Sequence, residues 1–155
     1  MSLVALEQGA FAPWCAHVTR EYAADKVASL GIAPEDALVM AAQSMVSALP
    51  QGCATAGNFI FGVENTAGDA VGTLWYALQD QWGVCTAFIY DIEIDPNHRR
   101  KGYGAATLAA FEADALARGA ARLALNVFAH NPGAQALYER AGYAVSNVTM
   151  GKVLV

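Results

Sequence analysis

The run Asp91-Ile92-Glu93-Ile94-Asp95-Pro96, followed by Asn97-His98-Arg99-Arg100-Lys101-Gly102-Tyr103-Gly104-Ala105, limits what the chain can fold into more than any other stretch. Its first half alternates. Ile92 and Ile94 point one way and Asp91, Glu93 and Asp95 the other, as in a strand with one apolar face. Pro96 ends that strand, because proline has no N–H to give to a ladder. Three cations and two glycines then lead into a long apolar-periodic segment. Glycine admits unusual dihedrals and close approach of a ligand to the backbone. The first amides of a helix have no partner inside it, and the helix dipole favours negative charge there. A phosphate-bearing ligand is therefore expected at residues 99–105.

At 155 residues the chain is expected to form a single domain, residues 1–155, with room for a sizeable core. No run of 18 residues lacks polar groups, so no membrane-spanning helix is expected. The first residues carry no basic region leading into an apolar one, which predicts no signal peptide and a cytoplasmic location. Cys15, Cys53 and Cys85 are widely spaced and do not resemble a metal site, so no metal is expected. The net charge of −5 argues against nucleic acid as a partner, and the cations at 98–101 stand out against it.

Along the chain, Leu3 to Leu6 fit a short first strand. Trp14, Val18, Tyr22, Val27 and Leu30 mark one face of a helix, with Pro13 near its start and Gly31 as its stop. A second helix opens at Pro34, with Leu38, Ala42, Met45, Val46 and Leu49 as its apolar stripe and Pro50 as its close. Asn58–Glu64 and Ala70–Leu78 read as strands around the turn Asn65–Asp69. After a turn at Gln79–Gly83, a third strand runs from Val84 to Ile94. Short turns imply antiparallel pairing. Leu108, Phe111 and Ala115 mark the helix after the glycine turn, with Asp114 and Arg118 as an i,i+4 pair and Gly119 as C-cap. A strand over Arg122–Phe128 follows, so the strands on either side of this helix should be parallel. Asn131 and Pro132 suit the cap and first position of a last helix carrying Ala134, Leu137, Tyr138 and Ala141. Tyr143 to Val155 reads as a terminal strand or strand pair.

Two segments in this order carry a resemblance. Arg99-Arg100-Lys101-Gly102-Tyr103-Gly104-Ala105 matches Gln/Arg-x-x-Gly-x-Gly/Ala after an Ile-x-Ile-Asp-Pro strand. Asn131-Pro132-Gly133-Ala134-Gln135-Ala136-Leu137-Tyr138-Glu139-Arg140-Ala141-Gly142-Tyr143 matches Asn-x-x-Ala-x-x-Leu-Tyr-x-x-x-Gly-Phe/Tyr. Together they resemble the GCN5-related N-acetyltransferase (GNAT) superfamily, specifically over residues 88–145 and more loosely over 3–87. A Rossmann site fits poorly, since the third glycine is missing and the preceding strand carries three acids. A Walker loop is excluded, because no Gly-Lys-Ser/Thr occurs.

The resemblance implies an α+β fold: a mixed, mostly antiparallel sheet of six to seven strands flanked by about four helices, with two central strands splayed apart, often at a bulge. It implies acetyl-CoA as donor. The backbone amides of Arg100, Lys101, Gly102, Tyr103, Gly104 and Ala105 would hold the diphosphate, with Arg99, Arg100 or Lys101 adding charge. The backbone of Ile92, Glu93 and Ile94 would pair with the pantetheine arm. Asn131 matches a position that often touches the arm, and it also suits a plain N-cap. Tyr138 matches the tyrosine that protonates the departing thiolate, although it also falls on the apolar stripe.

An ammonium cannot attack a thioester, so a base must take its proton. Asp91 and Glu93 share a strand face and suit that role or the attraction of a cation. His17 and His130 are alternative bases by residue type, but both read more simply as surface residues. One branch of the family carries a glutamate where this chain has Phe88, a departure from that branch. Trp14, Tyr22, Trp75, Tyr76 and Trp82 can wall an acceptor pocket or pack in the core. The acceptor class expected is a small-molecule or peptide amine. The family's terminal strands imply a homodimer. The alternative to an enzyme is a non-catalytic acyl-CoA-binding module on the same fold.

Overall fold

The computed structural model describes residues 1–154. The strands are β1 (Ser2–Ala5), β2 (Asn58–Glu64), β3 (Ala70–Gln81), β4 (Val84–Ile94) and β5 (Arg122–Leu125). The helices are α1 (Gln8–Leu30), α2 (Pro34–Ala48), α3 (Tyr103–Ala117) and α4 (Pro132–Arg140). The strands form one sheet in the order β1-β2-β3-β4-β5. Neighbours are antiparallel except β4 and β5, which run parallel across the α3 crossover. The mixed sheet and four helices agree with the expected architecture. Among the described residues the strands number five rather than six or seven. Residues 144–154, expected as strand, are all exposed and make no main-chain hydrogen bond with another described residue. Val155, the end of that expected strand, lies outside the described residues.

Period-two alternation gives the sheet two apolar faces. Phe61, Val63, Leu74, Tyr76, Ala87 and Ile89 pack on Leu108, Phe111 and Ala115 of α3. On the other face Ile60 and Trp75 meet Trp14 and Val18 of α1 and Met45 and Leu49 of α2. The helices α1 and α2 join through Ala23, Ala37 and Ala41, each nearly inaccessible. Three alanines let the backbones approach closely, and this rotates α2 away from the expected stripe. Leu38 and Val46 stand exposed, while Ala37 and Ala41 are buried. The start of α1 also differs: it begins five residues before Pro13, which sits inside the helix.

Gly31 ends α1 as expected, in the left-handed region at φ 66° with its N–H on the Val27 carbonyl. The β3–β4 hairpin turns on two residues, Trp82 and Gly83, with φ 55° and 81°. None of the described helices is long and apolar enough to cross a membrane.

One irregularity sets the orientation of everything that follows. Trp75 lies opposite Asp91, but its neighbour Tyr76 lies opposite Ile89. Tyr90 is therefore an extra residue on β4, a β-bulge. Without it Ile89 and Asp91 would share a face. With it Ile89 faces α3, while Asp91 and Glu93 turn to the side of Trp75 and α1.

Gly72 lies opposite Ile94 at the end of this pairing. A Cβ there would sit 2.1 Å from the Glu93 carbonyl oxygen, so the two strands fit only with glycine. Gly72→Ala is expected to cost about 2 kcal/mol of stability, within the range of overpacked sites, read as a lower denaturation midpoint in urea. An unchanged midpoint would show that the ladder gives way there without cost.

Candidate active site at the fork between β4 and β5

The parallel ladder runs from Thr86 opposite Arg122 to Ile89 opposite Leu125 and stops there. β4 continues to Ile94, while the chain after Leu125 turns away toward α4. The two strands thus part at the bulge. A cavity of about 150 Å³ fills the fork. It is lined by Tyr90, Asp91 and Ile92 from one arm, Leu125 to Phe128 from the other, and Asn131 and Tyr138 from α4. A larger, open depression of about 520 Å³ on α2 is lined by Met40, Gln43, Ser44, Ser47 and Ala48, none of which titrates near neutral pH. The fork is where the chemistry-bearing groups converge.

Asp91 faces that cavity, and its Oδ2 is buried with no hydrogen-bond partner. Its pKa is raised from 3.8 to about 6, chiefly by burial and then by the charge of Glu93. His17 opposes the shift and Glu21 adds to it. Glu93 is held from both sides: His17 Nε2 lies 2.6 Å from its Oε2, and Arg99 lies 3.7 Å from its Oε1. The Arg99 Nε–H in turn donates to the Ile94 carbonyl at 2.8 Å. Tyr138 is half-buried, and its pKa is raised by burial first and then by Asp91. It remains a protonated donor through neutral pH. Its ring packs 5.9 Å from that of Tyr143.

The loop from Asp95 to Gly102 leads from β4 into α3. A short 3₁₀ turn follows Pro96, with the His98 N–H on the Asp95 carbonyl. Arg100 and Gly102 both take positive φ, at 61° and 81°. Among the described residues, no main-chain amide from Arg100 to Ala105 donates to another main-chain group. The first such bond into α3 runs from Ala106 to Gly102. Six free amides at a helix start form a ready anion cradle. Lys101 turns its Nζ to the Asn97 carbonyl at 3.1 Å, and Arg99 is occupied by Glu93 and Ile94. Arg100 makes no ion pair among the described residues.

The two glycines of this motif serve different ends. Gly102 supplies the left-handed dihedral, with open space where a Cβ would point. Gly104 supplies room: a Cβ there would meet Leu137 Cδ2 at 3.0 Å, so α3 and α4 approach closely at this residue. This contact brings Tyr138, the next residue of α4, to the fork. Asn131 is the N-cap expected of it. Its side chain caps α4 by accepting from the Ala134 N–H at 3.2 Å, and it lines the cavity.

Of the two readings of the aromatic residues, core packing is the one that Trp14, Trp75 and Tyr76 follow. Trp14 and Trp75 are buried in the α1/α2 core, edge to face at 5.7 Å. Tyr76 is buried on the opposite face, where its hydroxyl donates to Asp114, itself 2.9 Å from Arg118. Tyr22 lies near the surface under Lys26, and Trp82 caps the exposed hairpin tip. The large rings lie where area is buried, or at a turn, rather than in one pocket.

Helix α1 contributes what local sequence patterns miss. His17, Glu21 and Asp25 recur every four residues along the helix. His17 meets Glu93, Glu21 bears on Asp91, and Asp25 lines the cavity and pairs with His130 at 3.2 Å. The signal is present as a polar stripe at helical spacing, but no local pattern shows which strand such a stripe will face.

Residues 20–143 match the model of the acetyltransferase (GNAT) family. The chain is 34% identical over 152 residues to YycN of Bacillus subtilis (strain 168), described as an uncharacterized N-acetyltransferase, covering 98% of this chain and 97% of that protein. It is 32% identical over 120 residues to YdgE of the same organism, likewise described, covering 77% and 76%. A crystal structure of YycN superposes with a TM-score of 0.93 at 33% identity, covering 99% of this chain and 98% of that one.

Proposed function

Since the chain belongs to the acetyltransferase (GNAT) family, we propose that it transfers an acetyl group from acetyl-CoA to a primary amine by direct attack on the thioester. The observation that carries this reading is the fork itself. Free amides stand at one end of it, and Asp91 and Tyr138 flank the gap where β4 has lost its partner strand.

In this reading the amides of Arg100 to Ala105 bind the diphosphate, and Arg100 adds charge from the same turn. The exposed edge of β4 at Ile92 to Ile94 takes the pantetheine arm as an added strand. Asp91 draws in the acceptor ammonium and takes its proton. With a pKa of about 6 it is ionised at neutral pH yet more basic than an ordinary carboxylate. Glu93, fixed by His17 and Arg99, keeps a second negative charge beside it. A β4 amide near Glu93 or Ile94 donates to the oxygen that gains charge as the amine adds. Tyr138 gives its proton to the departing sulfur. Asn131 orients the arm from the far wall.

The test is release of free coenzyme A thiol from acetyl-CoA on an amine panel spanning diamines, amino acids, aminoglycosides and peptide N-termini. Release that depends on one class of amine supports the proposal. Saturable coenzyme A binding with no release across the panel would return the chain to a non-catalytic acyl-CoA-binding role.

A further inference from the structure

Building on the acetyl-transfer reading of the fork, we infer that the acceptor is a primary amine with one positive charge on a flat apolar body, and that Tyr90 and Phe128 select it. The fork has two sides. Ile92 and Tyr138 pack against the α3 face of the sheet, where the sulfur departs in that reading. Tyr90 lies on the other side, stacked on Trp75 of the α1/α2 core with ring centroids 4.7 Å apart and planes 21° apart. Phe128, on the opposite arm, lines the same cavity. The bulge brings this about. Successive strand residues point to opposite faces, but here Tyr90 and Asp91 both line the fork.

Tyr90 has 47% of its surface open to solvent, yet it is held on three sides. Its ring lies on Trp75 and meets Phe88 edge to face at 5.0 Å, and its hydroxyl accepts from the Gln79 side chain. Trp75 is itself buried, with its Nε1–H on the Asn58 Oδ1 at 2.9 Å. A side chain already immobile loses little freedom when a ligand covers it. Phe128 is half-buried and stacked on the His130 ring at 5.3 Å, with planes 11° apart. One fixed aromatic thus stands on each arm of the fork, and flat apolar groups cover such rings best.

Charge and size narrow the acceptor further. Of the carboxylates at the fork, Asp25 is paired with His130 at 3.2 Å and Glu93 with His17 at 2.6 Å. Asp91 keeps an oxygen with no partner among the described residues. One open carboxylate suits one ammonium, not the several of a polyamine. The cavity of about 150 Å³ is the size that holds a single benzene-sized ring. An amine of several linked rings would leave most of its body in solvent.

With acetyl-CoA as donor, kcat/KM for phenethylamine is expected to exceed that for ethylamine or putrescine by about 10- to 100-fold, the range that apolar contacts in a pocket supply. Tyr90→Ala should cut the preference over ethylamine to about threefold or less, chiefly through KM. Tyr90→Phe keeps the ring and should keep the preference. Phe128 lies on the loop after β5, so Phe128→Ala spares the core and decides the matter should Tyr90→Ala disturb Trp75. Circular dichroism and coenzyme A affinity check that each variant is folded. Equal kcat/KM for phenethylamine and ethylamine, or a preference for putrescine, would overturn the inference and leave acetyl transfer standing. So would a preference that Tyr90→Ala and Phe128→Ala both leave intact. Calorimetric titration of phenethylamine into the coenzyme A complex reads the site without turnover. Binding that Phe128→Ala abolishes, with no thiol released from acetyl-CoA, would sustain the aromatic site and overturn the transfer reading instead. Absence of binding there would overturn the inference itself.

Discussion

Tyr138→Phe is expected to lower the rate of acetyl transfer by about 100- to 1,000-fold while leaving coenzyme A affinity within about twofold, the loss typical of a removed general acid. The phenylalanine ring keeps the contact with Tyr143 and the packing against the α3 face of the sheet. Among the described residues no group hydrogen-bonds the Tyr138 hydroxyl; its raised pKa comes from burial and the charge of Asp91. The change therefore leaves no buried partner stranded, and the denaturation midpoint should move little. What disappears is the proton for a sulfur whose free thiol has a pKa of about 8.5. The pH profile should change with it. The hydroxyl pKa is raised from 10.0, so the wild-type rate should fall only at strongly alkaline pH. That alkaline limb should be missing from the residual activity of the variant. A variant with full turnover would move the proton donor to water or another group. A variant that no longer binds coenzyme A would make Tyr138 a packing residue of the arm's binding site.

How much of this is legible in the sequence depends on the range of the interactions involved. The turn at Arg99–Ala105 and the cap at Asn131 are local. Glycine dihedrals, orphan amides and a capping side chain are decided within a few residues, and they stand where the sequence places them. The alternation of Ile92, Glu93 and Ile94 is local too. The bulge at Tyr90 is not: neither glycine nor proline marks it, and it exists only in the pairing of β4 with β3, where the register shifts between Trp75 and Tyr76. It is also what turns Asp91 toward α1. The stripe of α2 is misread from sequence because apolarity by size favours Leu38 and Val46, whereas packing against α1 selects the small side chains of Ala37 and Ala41. The role of His17 is hidden because its partner lies 76 residues away in sequence. The last eleven described residues carry the composition of a strand, but strand formation needs an edge to pair with, and they pair with none among the described residues.

The second large effect expected is a trade between activity and stability at Asp91. An unfolded aspartate loses its proton near 3.8, whereas folded Asp91 keeps it up to about 6. Between those values the folded chain binds more protons than the unfolded one, so stability falls as pH rises through this window. Above about pH 6 the full cost of holding the buried charge is present. A carboxyl that titrates about two pH units higher when folded carries a cost of about 3 kcal/mol, and partial exposure of the side chain makes about 2 kcal/mol a fairer figure. Asp91→Asn removes the charge and keeps the shape. The variant should therefore be more stable than wild type by about 2 kcal/mol at about pH 7.5 and show no gain at about pH 3, as read by urea denaturation. Acetyl transfer should fall by about 100- to 10,000-fold, the range for loss of a general base. The acid limb of kcat/KM near pH 6, which wild type should show, should vanish from what remains. Glu93 stays in place between His17 and Arg99 in the variant, so a cationic acceptor still meets one carboxylate, and KM should rise less than kcat falls. A variant that is both less stable at about pH 7.5 and fully active would mean that the Asp91 carboxylate is engaged by the protein itself. The proton of the amine would then pass to another group, with Glu93 and the His17 paired to it as the candidates.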